Sequence, residues 1–275
     1  CCCVYLTCNF ELIIFLKIKH ITLSDEPVVD NYEAKNGSVW RIAAANTDTA
    51  STKILQQKEG INLTGKIDAK GELLVTLPPG NWMLVRIGAT STGHKNETAG
   101  GGKGLECDKF NPAAVTLQFN KWFERLCQGV DAANAKDVVK IFHVDSWECG
   151  SQNWSDGFPA AFKQKRGYDL LPYLPVMAGI PIESIQKTES VLYDIRTTIA
   201  ELINDNFFGT LKNLVQQKGI LFSAESVAPT MLSDGMLHYK NVDMPMGEFW
   251  NNSPTHDKPN DSNSKNSNYQ QSDNM

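Results

Sequence analysis

From residue 82 onward, the chain alternates between segments typical of β-strands and segments typical of α-helices. Strand-like runs, rich in β-branched, aromatic and other apolar residues, lie at 82–88, 138–144, 220–226 and 242–250. Apolar residues recur at helical spacing in the stretches between these runs. Because two parallel strands need a long connection, this alternation predicts parallel strands joined by helical crossovers. The sequence therefore predicts an α/β fold.

The predicted helices have clear start and stop signals. Asn111 is a suitable N-cap with Pro112 at the first helical position, and Gly129 fits the end of that helix. A short helix is predicted over residues 159–165 and a long one over residues 184–218.

The domain organisation follows from where these patterns begin and end. Residues 1–20 are an irregular N-terminal edge, for which an ordinary strand is an equal alternative, and residues 21–80 are predicted to be β-rich, with a strand at 73–77. Residues 81–250 form the α/β unit, and the polar residues 251–275 are predicted to be disordered. A (β/α)8 barrel typically needs about 250 residues. We therefore expect an incomplete (β/α)8 TIM-like barrel preceded by a small β-rich region.

Composition excludes several classes of function. The net charge of −5 and the lack of a dense Lys/Arg stripe argue against nucleic acid as a partner. Four of the seven cysteines lie in the first eight residues, and the others form no C-x-x-C pair, so neither a zinc site nor a disulfide framework is expected.

The first twenty residues give neither a clear signal peptide nor a membrane span, because charged residues interrupt the apolar run. The glycine-rich stretch at 100–104 is not a P-loop, since no Ser or Thr follows its lysine.

The strongest chemical signal lies at the end of the second strand of this series. Asp145 and Glu148 follow an apolar run directly, and Trp147 and Trp154 flank them. Strand ends are where α/β barrels place catalytic groups, and carboxylates beside aromatic rings suit sugar chemistry. We interpret the acids as catalytic candidates and the tryptophans as a sugar-binding wall. A helix cap is the alternative for the acids, and core packing is the alternative for the tryptophans.

Two later strands also end in glutamate. Glu225 ends the third strand of the series, and Glu248, followed by Trp250, ends the fourth. Because parallel strands place their carboxyl ends on one face, these side chains are predicted to lie near Glu148. Asp108, at an earlier strand-to-helix junction, is a further candidate for substrate binding, with a local salt bridge as its alternative.

His143 alternates with Asp145 along one strand face, so the two could bind a metal together. For a lone histidine in an apolar strand, simple packing is the favoured interpretation. A metal-dependent oxygenase using this pair would need a distal histidine and an all-β fold, whereas this chain is rich in predicted helices after residue 110. The other alternative is a non-catalytic carbohydrate-binding module that keeps the tryptophan wall.

Five blocks of sequence together resemble one known family. In order they are GLECDKFNPAAVTLQF, HVDSWECGSQNW, FPAAFKQKRGYDLLPYLPVMAG, VLYDIRTTIAELINDNFF and VDMPMGEFW. They resemble the catalytic-domain core of glycoside hydrolase family 106, the α-L-rhamnosidases. The resemblance covers about residues 81–261.

The resemblance implies an inverting hydrolase that removes terminal α-L-rhamnose from plant-type glycans. It also implies a (β/α)8 barrel, a dependence on calcium and export from the bacterial cytoplasm. In the D-x-x-E motif the general acid falls on Glu148, with Asp145 as its support, and Glu248 matches a further active-site glutamate. Glu225 is carried over as a substrate-binding residue, and the resemblance places no calcium ligand.

The sequence departs from the family after the motif GEFW. In the family a later acidic block carries the expected general base, whereas here Ser/Asn-rich sequence follows NNSPTHDKPND. We therefore expect a truncated or frame-shifted product with little or no hydrolytic activity.

Overall fold

A computed structural model describes residues 2–8, 29–38, 54–70, 72–80, 82–91, 93, 95, 103–128, 137–146, 151–226 and 233–247. Within these residues the strands are β1 (Cys2–Cys8), β2 (Trp82–Gly88), β3 (Ile141–Val144), β4 (Leu221–Glu225) and β5 (Met244–Met246). The α-helices are α1 (Tyr32–Lys35), α2 (Pro112–Leu126), α3 (Phe158–Arg166), α4 (Ile185–Leu202), α5 (Gly209–Gln217) and α6 (Gly235–Lys240). The chain also has two 3-10 segments, Gln57–Glu59 and Leu171–Ala178, and a π-helical segment, Ile203–Phe208.

The strands form two sheets. β1 and β2 pair antiparallel, from Cys2 opposite Gly88 to Cys8 opposite Trp82. Residues 2–8 thus form an ordinary strand, which was the alternative to an irregular N-terminal edge. β3, β4 and β5 form a parallel sheet in that order, with Ile141 opposite Leu221 and Ser223 opposite Met244. Helices connect each parallel strand to the next, which confirms the predicted α/β organisation.

Local side-chain chemistry explains where the helices start and stop. Asn111 caps α2 by accepting a hydrogen bond from the backbone N–H of Ala113 at 3.0 Å. Ser184 caps α4 in the same way through the N–H of Lys187, also at 3.0 Å. Gly167 ends α3 with a φ of 82°, a left-handed conformation that glycine adopts without strain.

The long helix predicted over 184–218 is one helical run in three parts. α4 passes into the π-helical segment Ile203–Phe208, which passes into α5. Buried residues recur four apart at Ile195, Ile199, Ile203, Phe207, Leu211 and Val215. In an α-helix alone, such a line drifts around the axis by about 40° at each step. The π turn takes more residues per turn and so offsets part of this drift, which keeps Leu211 and Val215 toward the sheet.

The core lies between the parallel sheet and the helices that follow it. Phe222 and Ala224 of β4 are fully buried and face α5. Leu211 and Val215 of that helix are buried as well. The opposite face of the sheet is open in the part of the chain that the structure describes. Its exposed residues include Ile141, His143, Leu221, Met244 and Met246.

Two predicted strands differ from the structure. The strand predicted from Val138 begins only at Ile141, because Asp137 and Val138 are helical. The strand predicted at 73–77 was wrong: Leu73 makes one isolated bridge to Ile67, and the residues after it are not paired. No described helix combines the length and the apolar character needed to cross a membrane. The domain boundaries given above stay a prediction.

Candidate functional site

The carboxyl edge of β3 and β4 brings three chemically active side chains together. His143 lies on β3, Asp145 follows that strand, and Glu225 ends β4. One ligand atom from each lies within 4.8 Å of the others. The pairing of His143 with Ser223 puts the next outward-facing residues, Asp145 and Glu225, side by side. Two carboxylates and one imidazole thus share an accessible edge of the sheet.

Hydrogen bonds fix the neighbouring strand β5 at the same edge. The Asp243 carboxylate accepts from the backbone N–H of Phe222 at 2.9 Å, and the Asp243 N–H donates to the Phe222 carbonyl at 2.8 Å. The Tyr239 hydroxyl donates to the carbonyl of Met246 at 2.6 Å and accepts from the N–H of Ser226 at 3.4 Å. These contacts tie the ends of β4 and β5 together, two residues before Glu248 in the sequence.

Four of the predicted site residues lie outside the described part of the chain. They are Trp147, Glu148, Glu248 and Trp250. The structure therefore gives no geometry for the proposed acid or for the second active-site glutamate. The loop that follows Glu148 is described from Ser151 onward.

Trp154 and Asp108 are held by the protein itself. The Trp154 ring lies 5.6 Å from the ring of Phe158 and packs, partly buried, against the core. The Asp108 carboxylate accepts hydrogen bonds from the N–H of Phe110, the side-chain amide of Gln152 and the hydroxyl of Ser155. The local salt bridge at this junction joins Lys109 and Glu106 instead.

His143 is exposed, so the favoured interpretation that it is packed inside the protein was wrong. Its face of β3 has no covering element among the described residues, which is why an otherwise apolar strand leaves it accessible. Its Nδ1 atom lies 3.1 Å from the Ser223 hydroxyl. Ser223 was missed in the sequence, although it alternates with Glu225 and so shares the same face.

Two further groups, one half-buried and one buried, take no part in this edge. Burial raises the pKa of the Cys107 thiol, so the thiol is a weak nucleophile and a poor metal ligand. His238 of α6 is 1% exposed and stacks on Phe208 with ring centroids 4.2 Å apart. Burial lowers the pKa of His238 to about 4, and neither ring nitrogen has a hydrogen-bond partner among the described residues.

Comparison with known proteins identifies the family. The family model for α-L-rhamnosidases, glycoside hydrolase family 106, matches residues 12–274. The chain belongs to this family.

Two relatives show how far the similarity extends. The chain is 36% identical, over 211 residues, to a Formosa agariphila protein provisionally named a beta-glucuronidase; the match covers 76% of this chain and 18% of that protein. A solved structure of a rhamnosidase from Novosphingobium sp. PP1Y superposes with a TM-score of 0.69 at 27% identity, covering 81% of this chain and 22% of that one. The chain thus spans about a fifth of the length of each relative.

Proposed function

We propose that the protein carrying this chain is an inverting glycoside hydrolase that removes terminal α-L-rhamnose from plant-type glycans outside the cytoplasm. Family membership supports a glycosidase, and one observation carries the location of its site. That observation is the convergence of Asp145 and Glu225, with His143, at the carboxyl edge of the parallel sheet. Enzymes built on parallel α/β sheets bind their ligands at this edge.

A (β/α)8 barrel fits the open face of this sheet. Parallel sheets are normally covered on both faces, and here helices cover one face. In a barrel the other face would point inward, with the apolar side chains of Ile141 and Leu221 in the packed interior. His143, Asp145 and Glu225 would then line the catalytic mouth.

In this proposal Glu148 is the general acid and Asp145 supports it. The acid must hold its proton near neutral pH, and the low-polarity surroundings of a tryptophan wall favour the protonated form. Glu248 is a further active-site carboxylate.

Trp147, Trp154 and Trp250 form an aromatic wall for the sugar, and Asp108 and Glu225 lie beside it. Inversion requires an acid and a base about 6.5–9.5 Å apart, which leaves room for a water molecule. We assign the base to a later strand of the barrel.

The calcium implied by the family fits part of the donor set at this edge. Carboxylate oxygens are typical calcium ligands, so Asp145 and Glu225 would hold the ion. Imidazole nitrogen suits transition metals instead, so we leave His143 outside the ligand set. A bound calcium ion would take hydroxyl oxygens of the sugar as further ligands and so fix the orientation of the ring.

The test uses the full protein that carries this chain, assayed on an alkyl α-L-rhamnoside and on a 4-nitrophenyl α-L-rhamnoside. We expect hydrolysis of both, with the β-anomer of rhamnose formed first, as NMR would show. Glu148→Gln should lower turnover of the alkyl substrate by about 100-fold or more, because that leaving group needs a proton. The control, Glu124→Gln, alters an exposed carboxylate of α2 and should leave turnover unchanged.

Three outcomes would contradict the proposal. Near-normal turnover of the alkyl rhamnoside by Glu148→Gln would show that Glu148 is not the general acid. Hydrolysis of a 4-nitrophenyl β-D-glucuronide instead of the rhamnoside would show that the enzyme has the glucuronidase specificity for which its Formosa relative is named. Calorimetric binding of rhamnose without any turnover would favour the carbohydrate-binding alternative.

A further inference from the structure

A tyrosine of α6 holds the carboxyl end of β4. The Tyr239 hydroxyl accepts a hydrogen bond from the backbone N–H of Ser226 at 3.4 Å and donates one to the carbonyl of Met246 at 2.6 Å. Ser226 follows Glu225 in the chain, and Met246 lies opposite Glu225 in the parallel ladder. One hydroxyl group therefore contacts both backbone neighbours of Glu225, the next residue on its own strand and its partner on β5.

These two contacts lie where the pairing of β4 with β5 ends. Glu225 and Met246 are the last pair of the described ladder, and the ends of such elements open most readily. The N–H of Ser226 belongs to the planar peptide group that starts at the Cα atom of Glu225, so holding it limits rotation at that residue. A hydroxyl can donate and accept at the same time, so both bonds can form together. Tyr239 thus fixes the backbone that presents the Glu225 carboxylate.

The first residue of α6 makes a second, independent contact with the same point. A Cβ atom added to Gly235 would overlap the Ser226 hydroxyl oxygen and would lie 3.1 Å from the Ser226 Cβ atom. The φ angle of Gly235 is outside the left-handed region. The close approach of Ser226, and not the backbone conformation, is therefore what requires a residue without a side chain here.

α6 is itself anchored in the core. His238, next to Tyr239 in the sequence, is 1% exposed and stacks on Phe208 with ring centroids 4.2 Å apart. The Asn241 side chain donates to the Asn204 side chain at 2.8 Å. Phe208 and Asn204 both belong to the π-helical segment. Tyr239 therefore reaches the end of β4 from a helix that is bound to the core.

We infer that Tyr239 is a positioning residue for Glu225, and that Gly235 leaves the space that lets α6 approach the end of β4. A ligand atom of Glu225 lies within 4.8 Å of those of Asp145 and His143, so a shift of the Glu225 backbone would separate this group. The inference rests on the proposed function, in which Glu225 and Asp145 hold a calcium ion that orients the sugar.

Tyr239→Phe tests the inference, because it removes the hydroxyl and keeps the ring. Calcium binding is measured by calorimetric titration of the full protein that carries this chain. Groups that support metal ligands are commonly worth about 10- to 100-fold in affinity, and for a contact made through the backbone we expect a loss of about 5-fold or more. Tyr193→Phe, the same change at an exposed tyrosine of α4, should leave the affinity unchanged.

Gly235→Ala tests the contact from the other side. Its methyl group would displace Ser226, so calcium affinity should fall as it does in Tyr239→Phe. Adding Ser226→Ala removes the hydroxyl that the methyl group overlaps, and the double variant should recover to within about 2-fold of wild type, as expected for two residues in contact. Ser226→Ala alone should bind calcium normally, because Tyr239 bonds the backbone of Ser226. Gly157→Ala, at a position where an added Cβ meets nothing within 4 Å, is the control.

Hydrogen exchange gives a readout that does not depend on calcium. The amide of Ser226 should exchange faster in Tyr239→Phe than in Tyr193→Phe. The amide of Phe222, which the Asp243 carboxylate holds, should exchange at the same rate in both. Equal exchange at Ser226 would show that Tyr239 does not hold the end of β4.

Glu225→Gln separates a failure of this inference from a failure of the proposed function. If Glu225→Gln weakens calcium binding and Tyr239→Phe does not, the positioning role is wrong and the calcium site stands. If Glu225→Gln itself leaves calcium binding unchanged, the proposed role of Glu225 as a ligand is wrong. If Tyr239→Phe does not fold, the Gly235→Ala variants decide, and a double variant that stays as weak as Gly235→Ala overturns the inference.

Discussion

His143 and Ser223, on neighbouring strands, form a hydrogen bond whose direction the third strand decides. The Ser223 hydroxyl donates its proton to the Met244 carbonyl at 3.0 Å, so it can only accept from His143 Nδ1, at 3.1 Å. In the neutral imidazole the proton therefore resides on Nδ1, and Nε2 carries a lone pair. That nitrogen can accept a hydrogen bond from water or a sugar hydroxyl at the edge that Asp145 and Glu225 share.

The tautomer of His143 can be measured directly. Long-range proton–nitrogen NMR spectra near pH 8 should show His143 protonated at Nδ1 in the wild-type chain. Ser223→Ala removes the acceptor and should shift the population toward the Nε2–H form, which prevails in free histidine. A population that does not change would mean that Ser223 does not set the tautomer.

Calcium binding is expected to depend on the two carboxylates and not on the imidazole. Asp145→Asn and Glu225→Gln each remove a charged oxygen ligand, so each should weaken calcium binding by about 10-fold or more in calorimetric titration. His143→Gln should change the affinity little. If His143→Gln abolishes binding, and zinc binds more tightly than calcium, the site would belong to a transition metal.

Stability is expected to fall in acid because of His238. Its pKa is about 6.5 in an unfolded chain and about 4 in the folded protein, where burial disfavours the charged ring more than nearby Asp234 favours it. The unfolded state therefore binds the proton more readily, and this contribution to stability, on the order of 3 kcal/mol, is complete above pH 6.5 and is lost as the pH falls toward 4.

His238→Phe should remove that part of the pH dependence while keeping the ring stacked on Phe208. Urea unfolding at pH 7.5 and pH 4.5 measures the difference for both proteins. His143→Gln, at an exposed position, serves as the control and should retain the wild-type acid sensitivity. Equal losses of stability in wild type and His238→Phe would show that other groups cause it.

Lys109 is expected to be worth far more to stability than an exposed lysine in a similar pair. Lys109→Met removes the buried ammonium group that faces Glu106 and Phe207, and should lower the free energy of unfolding by about 2–3 kcal/mol. Lys121→Met alters an exposed pair with Glu124 on α2 and should cost about 0.5 kcal/mol or less. A Lys109→Met chain as stable as wild type would mean that desolvation of the ammonium cancels its attraction to Glu106.

Periodicity and capping signals predicted most of the helices and the parallel strands, because these features are local. Asn111 and Ser184 cap their helices as their sequence neighbourhoods indicate. The strand at 73–77 failed because β propensity needs a pairing partner: Leu74 is 87% exposed, and its neighbours make no ladder. The π turn could not be predicted, since one extra residue hardly disturbs an apolar stripe.

The site was predictable only as far as strand ends define it. The rule that parallel strands share a carboxyl edge placed Asp145 beside Glu225. The hydrogen bonds of Ser223 and Gln152 depend on which residues face each other across strands or between distant loops. Gln152 bonds Lys109 and Asp108, 43 and 44 residues away, and no local pattern specifies such partners.

The π-helical turn leaves room for a change of length in this helical run. If one residue of Ile203–Phe208 were deleted, an ordinary α-helix could close the gap, because a π turn holds about one residue more than an α-helical turn. Leu211 and Val215 would keep their direction toward the sheet. A single-residue deletion within α5 would instead rotate every residue after it by about 100° around the axis. Deletions in the π-helical segment should therefore be tolerated better than deletions in α5.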